Sequence, residues 1–137
     1  MDEEKNRRRF VDTNVFIYAI QGHPEFGEVS KIILERIDSG EKAVTSQINL
    51  AEVCWWLEKH KRSEEIEEEI KLISSIFHLE IIPLDMRDFI AASEFVKKYK
   101  IDFNDCISLA VMKRMNISTI YSNDRDFDRT WIKRKFM

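Results

Sequence analysis

Apolar residues recur along the chain in short blocks whose spacing alternates between two periods. Arg8 to Val11 is a brief β-like run that ends in Asp12-Thr13-Asn14, a turn or cap signal leading into the apolar stretch Val15 to Ile20. Gly22-His23-Pro24 breaks that stretch. From Glu25 to Ser39, Val29, Ile32, Ile33 and Ile37 repeat at helical spacing, and Gly40 stands where a helix would close. Lys42 to Ser46 predicts a strand, and Gln47 to His60 a strongly apolar helix. Ser63 opens another helix with Ile66, Ile70, Ile73 and Phe77 on one stripe, and Leu79 to Ile82 predicts a strand stopped by Pro83. Asp85 or Met86 to Tyr99 reads as a helix with Phe89, Ala92, Phe95 and Val96 inward. A further helix capped by Asp102 runs to about Met115, and Asn116 to Tyr121 is the last clear strand.

Strands alternate with helices or helix pairs, the pattern of a parallel sheet covered on both faces. The expected fold is therefore α/β, with three layers and a central parallel sheet of four to five strands. The chain has 137 residues, three Gly and two Pro, and no stretch of linker composition, so residues 1–137 are read as one domain.

Composition narrows the function classes. No apolar run reaches the roughly 18 to 20 residues of a membrane span. Met1-Asp2-Glu3-Glu4-Lys5 lacks signal-peptide character, so the expected location is the cytoplasm. Cys54 and Cys106 show no paired-ligand spacing, which argues against a zinc site or a disulfide framework and for two buried reduced thiols. A net charge of −3 speaks against nonspecific nucleic-acid binding by the whole surface. Local charge differs: Arg7-Arg8-Arg9 precede the first acidic position of interest, and Arg125, Arg129, Lys133, Arg134 and Lys135 follow the last.

Those acidic positions are Asp12, Glu52, Asp105, and Asp124 with Asp126, each beside core-like residues. A carboxylate in such surroundings is costly unless it gains a partner. A shared cation would offset all of them, and hard oxygen ligands point to Mg²⁺ or Mn²⁺. Each acid also has a simpler reading. Asp12 suits an N-cap, Asp105 stands three residues after Asp102 as in a capping box, and Asp124 and Asp126 lie in a polar turn. Glu52 resists such a reading, because Ile48, Ala51, Val53, Trp55 and Trp56 around it are apolar. Trp55 and Trp56 read as core or dimer surface, and His23, His60 and His78 as surface residues without a shared pattern. In open α/β sheets, sites form beyond the carboxyl ends of the strands, where all these acids can converge.

Four stretches, in order, resemble the PIN-domain ribonucleases, above all the small VapC-type toxins of toxin–antitoxin pairs. They are Phe10-Val11-Asp12-Thr13-Asn14, Ser46 to Glu52 with its Asn-Leu-Ala-Glu core, Asn104 to Ala110, and Tyr121 to Phe127. The resemblance spans almost the whole chain and implies a PIN-like version of the expected fold. It implies that Asp12, Glu52, Asp105 and Asp124 are catalytic and hold Mg²⁺ or Mn²⁺, with Asp126 as an auxiliary ligand and Thr13 and Ser122 as supporting polar groups. It further implies hydrolysis of RNA to 5′-phosphate and 3′-hydroxyl ends, a protein antitoxin as partner, and a homodimer. Arg7, Arg8, Arg9, Arg125 and Arg129 are candidates to position RNA. An RNA-processing or flap-type nuclease, or a non-catalytic RNA-binding or scaffold protein on the same fold, stays open at this point.

Overall fold

A computed structural model describes residues 7–136, so the reading of Met1-Asp2-Glu3-Glu4-Lys5 lies outside the described residues. The chain runs β1 (Arg9–Val11), α1 (Thr13–Gln21), α2 (Gly27–Asp38), β2 (Ala43–Ser46) and α3 (Gln47–Lys59). A short 3-10 turn (Ser63–Glu65) leads into α4 (Ile66–Ser74), β3 (Leu79–Ile82), α5 (Met86–Tyr99) and α6 (Phe103–Arg114). The last elements are β4 (Thr119–Tyr121), a 3-10 segment (Arg125–Arg129) and β5 (Lys133–Lys135). The strands form one parallel sheet in the order β3-β2-β1-β4-β5.

Strand residues alternate between two cores because successive side chains leave a strand on opposite faces. Phe10, Val44 and Ile120 join one core with Ala92 of α5 and Leu109 and Met112 of α6. Val11, Ala43 and Tyr121 join the other with Val15 and Phe16 of α1, Ile33 and Ile37 of α2, Leu57 of α3 and Ile73 of α4. The result is the expected three-layer α/β/α fold, with five strands.

The chain turns sharply where local chemistry allows it. Gly22 ends α1 at φ 65° and ψ 43°, a left-handed conformation that costs glycine little. Asp85 and Asp88 cap each other's backbone at the start of α5, and Arg114 neutralises the buried Asp88 through bonds of 2.9 and 2.8 Å. A capping box is absent at the start of α6. Asp102 occupies the N-cap position but makes no side-chain cap bond, which leaves the Asp105 carboxylate uncommitted to the helix end.

Four expectations need correction. β5 was not anticipated, because Lys133-Arg134-Lys135 has no apolar alternation; it is an edge strand, and Asp128 holds Arg134 at 3.0 and 3.1 Å. Phe77 does not continue the α4 stripe but lies beyond the helix, 70% exposed. Phe89 is 39% exposed rather than inward-facing. Cys106 is buried as expected, whereas Cys54 is only half-buried, and both are free thiols. Among the described residues, no helix is long and apolar enough to cross a membrane.

An acidic cleft as the candidate active site

The carboxyl ends of β1 and β4 are neighbours in the sheet, with Val11 paired to Tyr121. Asp12 and Ser122, the next residue after each strand, therefore lie side by side. The Ser122 hydroxyl donates to Asp12 Oδ2 at 2.6 Å, and the Asp12 backbone N–H donates to the Tyr121 carbonyl at 3.0 Å. Asp12 is also the N-cap of α1, accepting the Thr13 N–H at 2.9 Å. Its capping role and its place among the acids coexist, since the carboxylate has two oxygens. Asn14 Nδ2 donates to Asp12 Oδ2 at 3.2 Å and to Ser122 Oγ at 3.3 Å, closing a small network.

Glu52 arrives from the second turn of α3, whose start is fixed by the Ser46 backbone and hydroxyl on Asn49 Oδ1 at 3.2 and 2.8 Å. Thr13 Oγ1 donates to Glu52 Oε1 at 2.6 Å and accepts from Asn49 Nδ2 at 3.0 Å. Asn104 Nδ2 holds the other Glu52 oxygen at 3.0 Å. Glu52 is thus half-buried and held between α1 and α6, which explains how it tolerates an apolar helix.

Asp105 comes from the first turn of α6, and Asp124 from the loop after β4. Asp124 Oδ1 caps the following turn through the Asp126 N–H at 2.9 Å, and the Asp124 N–H donates to Ser122 Oγ at 3.0 Å. One carboxylate oxygen each from Asp105, Asp124 and Asp126 falls within 4.8 Å of the others. A cleft of about 540 Å³ is lined by Asp12, Thr13, Glu52, Asp105 and Asp124, with Ile17 and Phe103 as apolar walls.

Crowding of like charge shows in the acids themselves. Burial is the largest influence on Asp12 and lifts its pKa from 3.8 to about 6, opposed by the Ser122 and Thr13 hydrogen bonds and reinforced by Glu52 and Asp124. Asp105 is pushed up to about 8, first by burial and then by Asp12, Asp124, Glu52 and Asp102. Among the described residues, no cation neutralises these two. Clustered carboxylate oxygens, three of which (from Asp105, Asp124 and Asp126) can reach a common point with only Asp126 near an arginine among the described residues, are a donor set that suits a hard divalent cation such as Mg²⁺ or Mn²⁺.

The arginines divide. Arg125 and Arg129 belong to the 3-10 segment directly after Asp124, and an Arg129 nitrogen is 3.8 Å from Asp126. Arg7, Arg8 and Arg9 do not join the acids. They gather at the amino ends of the strands, where Arg8 meets Glu80 at 3.4 Å and Arg7 and Arg9 border a hollow with Gly40, Glu41 and Lys42. In a parallel sheet this is the rim opposite the cleft. Of the two tryptophans after Glu52, Trp55 is 53% exposed, while Trp56 stacks on His60 at 4.3 Å; Leu57 is fully buried. His23 is not a bare surface residue, because it stacks on Phe26 at 4.9 Å.

Sequence reasoning passed over three amides that organise the site: Asn14, Asn49 and Asn104. Each stands within three residues of an acid in sequence, so an amide beside an acid was the available signal, although Asn104 holds Glu52 rather than its neighbour Asp105.

The PIN domain family model matches residues 9–132. Ribonuclease VapC13 of Mycobacterium tuberculosis and a VapC ribonuclease of Mycobacterium bovis are each 28% identical over 120 residues, covering 86% of this chain and 91% of theirs. Among solved structures, the VapBC2 complex of Rickettsia felis bound to a promoter DNA fragment is similar with a TM-score of 0.72 at 23% identity, over 93% of this chain and 96% of that one. VapC20 of Mycobacterium tuberculosis, described as a sarcin–ricin-loop-cleaving toxin, has a TM-score of 0.71 at 19% identity, over 87% and 92%. With the family model matched across nearly its full length, this chain belongs to the PIN-domain family.

Proposed function

We propose that this protein is a divalent-metal-dependent endoribonuclease of the cytoplasm and the toxin of a toxin–antitoxin pair. The observation that carries the reading is the meeting of Asp12, Glu52, Asp105 and Asp124 in one cleft from four separate segments. The ribonuclease names of its relatives and the toxin–antitoxin complexes among its fold neighbours support it.

Asp105, Asp124 and Asp126 would hold the Mg²⁺ or Mn²⁺ ion, with Asp12 and Glu52 completing its acidic surroundings. Such an ion, when bound, lowers the pKa of water and offsets charge on phosphate oxygens during in-line displacement. The chain's own groups do the rest. Ser122 and Asn14 fix the Asp12 carboxylate, and Thr13 and Asn104 fix that of Glu52, so neither has to reorganise during the reaction. Glu52, held in place through both oxygens, is suited to orient the attacking water. Arg125 and Arg129, after Asp124, would draw the RNA backbone to a cleft that otherwise repels it.

A homodimer belongs to the same proposal, and Trp55 is an exposed large apolar side chain on α3 available for it. The decisive experiment is incubation of the protein with a pooled RNA substrate, with and without Mg²⁺ or Mn²⁺. Metal-dependent cleavage that disappears in Glu52→Gln is expected. A folded wild-type protein that cuts no RNA with either metal would refute the reading.

A further inference from the structure

Away from the cleft, the last turns of α5 and the segment before β5 bring three aromatic rings together. Ring centroids of Phe95 and Trp131 are 5.3 Å apart, those of Tyr99 and Trp131 5.9 Å, and those of Phe95 and Tyr99 6.0 Å. Phe95 and Tyr99 are half-buried against the core, but Trp131 is 43% exposed. The backbone around it is fixed. Thr130 Oγ1 donates to the Phe127 carbonyl at 2.7 Å and accepts the Ile132 N–H at 3.1 Å, while Ile132 is buried. An exposed indole on so firm a base is prepared for contact rather than left over from packing.

Cations surround the rings. Lys98 Nζ lies 5.3 Å from the Tyr99 centroid and Lys113 Nζ 5.7 Å from that of Phe95. Lys97, Lys100 and Lys133 are exposed on the same segments, where the opposing charges are Glu94 of α5 and, each beside an arginine, Asp126 and Asp128. Arg129 joins this face to the cleft: one nitrogen is 3.8 Å from Asp126 and another donates to the Lys100 carbonyl at 3.4 Å, next to Tyr99. The combination of flat apolar rings and a cationic rim matches unpaired nucleotides, which offer a base to stack and a phosphate to pair. A protein partner would instead have to strip water from Lys98 and Lys113. The acidic cleft cannot attract an anion by itself, so affinity has to come from elsewhere on the surface.

We propose that Trp131, backed by Tyr99 and Phe95, is a stacking platform for single-stranded RNA whose phosphates pass Lys98, Lys113 and Arg129 on the way to the acidic cleft. The proposal rests on the ribonuclease reading for its destination, yet its test does not need cleavage. A labelled oligo-uridine of about twelve nucleotides, comparable to known single-strand site sizes, is titrated by fluorescence anisotropy at low salt without divalent metal. Under that condition the cleft adds only repulsion, so binding reports the platform.

Trp131→Ala should weaken binding about tenfold, equivalent to roughly 1.4 kcal/mol. Trp131→Phe should keep most of the affinity, and Lys98→Ala with Lys113→Ala should flatten its salt dependence. Should Trp131→Ala unfold, Trp131→Leu, which keeps apolar bulk but cannot stack, and the lysine pair still carry the test. Wild-type affinity in a folded Trp131→Ala or Trp131→Leu, or no binding by wild type, overturns the proposal. Unchanged RNA affinity with a lower sedimentation mass in Trp131→Ala would make the face a protein interface and also overturn it. Binding that depends on Trp131 in a protein that cleaves no RNA with Mn²⁺ would uphold the platform and defeat the ribonuclease reading.

Discussion

Helix α1 separates two hollows of almost equal size and opposite character. Thr13, Asn14 and Ile17 face the acidic cleft of about 540 Å³. Phe16, Ala19 and Ile20 face a groove of about 550 Å³ completed by Leu34 of α2, Leu72 and Ile73 of α4, and Ile76, with the acids Glu35, Asp38 and Glu69 also on its wall. Volume alone does not distinguish them. The groove is bounded mostly by apolar side chains that gain by contact with one another, whereas the cleft gathers mostly groups that repel. The cleft is therefore kept at the expense of stability, and the groove contributes to it. The two should respond in opposite directions to the same kind of substitution.

The largest effect is expected in activity. Glu52→Gln should lower metal-dependent RNA cleavage by about a thousandfold or more, each factor of ten being about 1.36 kcal/mol in the barrier. The melting temperature should hold. A wild-type rate in a folded Glu52→Gln protein would remove Glu52 from the chemistry; unfolding would make it a structural group.

In the groove, Ile73→Ala removes a side chain that is 4% exposed. Denaturant unfolding should show a loss of about 2–4 kcal/mol, the usual range for such truncations. RNA cleavage below the unfolding transition should stay near wild type. A loss no larger than that of a surface substitution would mean the groove is not part of the packed core.

Metal and pH sharpen the contrast. The carboxyls of Asp12 and Asp105 are raised from 3.8 to about 6 and about 8, so the native state holds protons that the unfolded chain gives up. The contribution of these two carboxyls to metal-free stability should therefore be full below about pH 4, fall as pH rises, and level off above about 8. Mg²⁺ or Mn²⁺ replaces those protons, so its gain in melting temperature should grow over the same range. Asp105→Asn should stabilise the metal-free protein by about 1–3 kcal/mol at the alkaline end and blunt the metal response. A metal-induced shift identical in wild type and Asp105→Asn would break the assignment.

The smallest effect belongs to the groove's outer wall. Leu72 is 53% exposed, and Leu72→Ala should change stability by no more than about 0.5 kcal/mol and leave cleavage unchanged. A larger loss, read by thermal unfolding, would show that the groove is covered in solution.

Most elements of the fold were legible because their periodicity is local. Val29, Ile33 and Ile37 mark α2 without reference to anything distant, and Gly22 stops α1 by its own backbone freedom. β5 was illegible for the converse reason. Lys133-Arg134-Lys135 becomes a strand only because β4 offers an open edge and Asp128 neutralises Arg134. The site divides in the same way. Asp12, Glu52, Asp105 and Asp124 could be singled out one by one, while the amides of Asn14, Asn49 and Asn104 gained meaning only through partners far along the chain. Arg7, Arg8 and Arg9 were misplaced because closeness in sequence to Asp12 says nothing about which end of a three-residue strand a side chain serves.

By itself, the sequence determined which residues are costly to bury and where helices and most strands must begin and end, because hydration cost and helical or strand period are properties of short segments. Only the tertiary structure decided that the acids meet in one cleft, that a similar volume on the other side of α1 is lined mostly by apolar side chains, and that Trp131 stands on Tyr99 and Phe95. Those outcomes depend on the order of strands in the sheet and the packing of helices across it, which bring together groups more than a hundred residues apart, as Ser122 on Asp12 shows with a separation of 110.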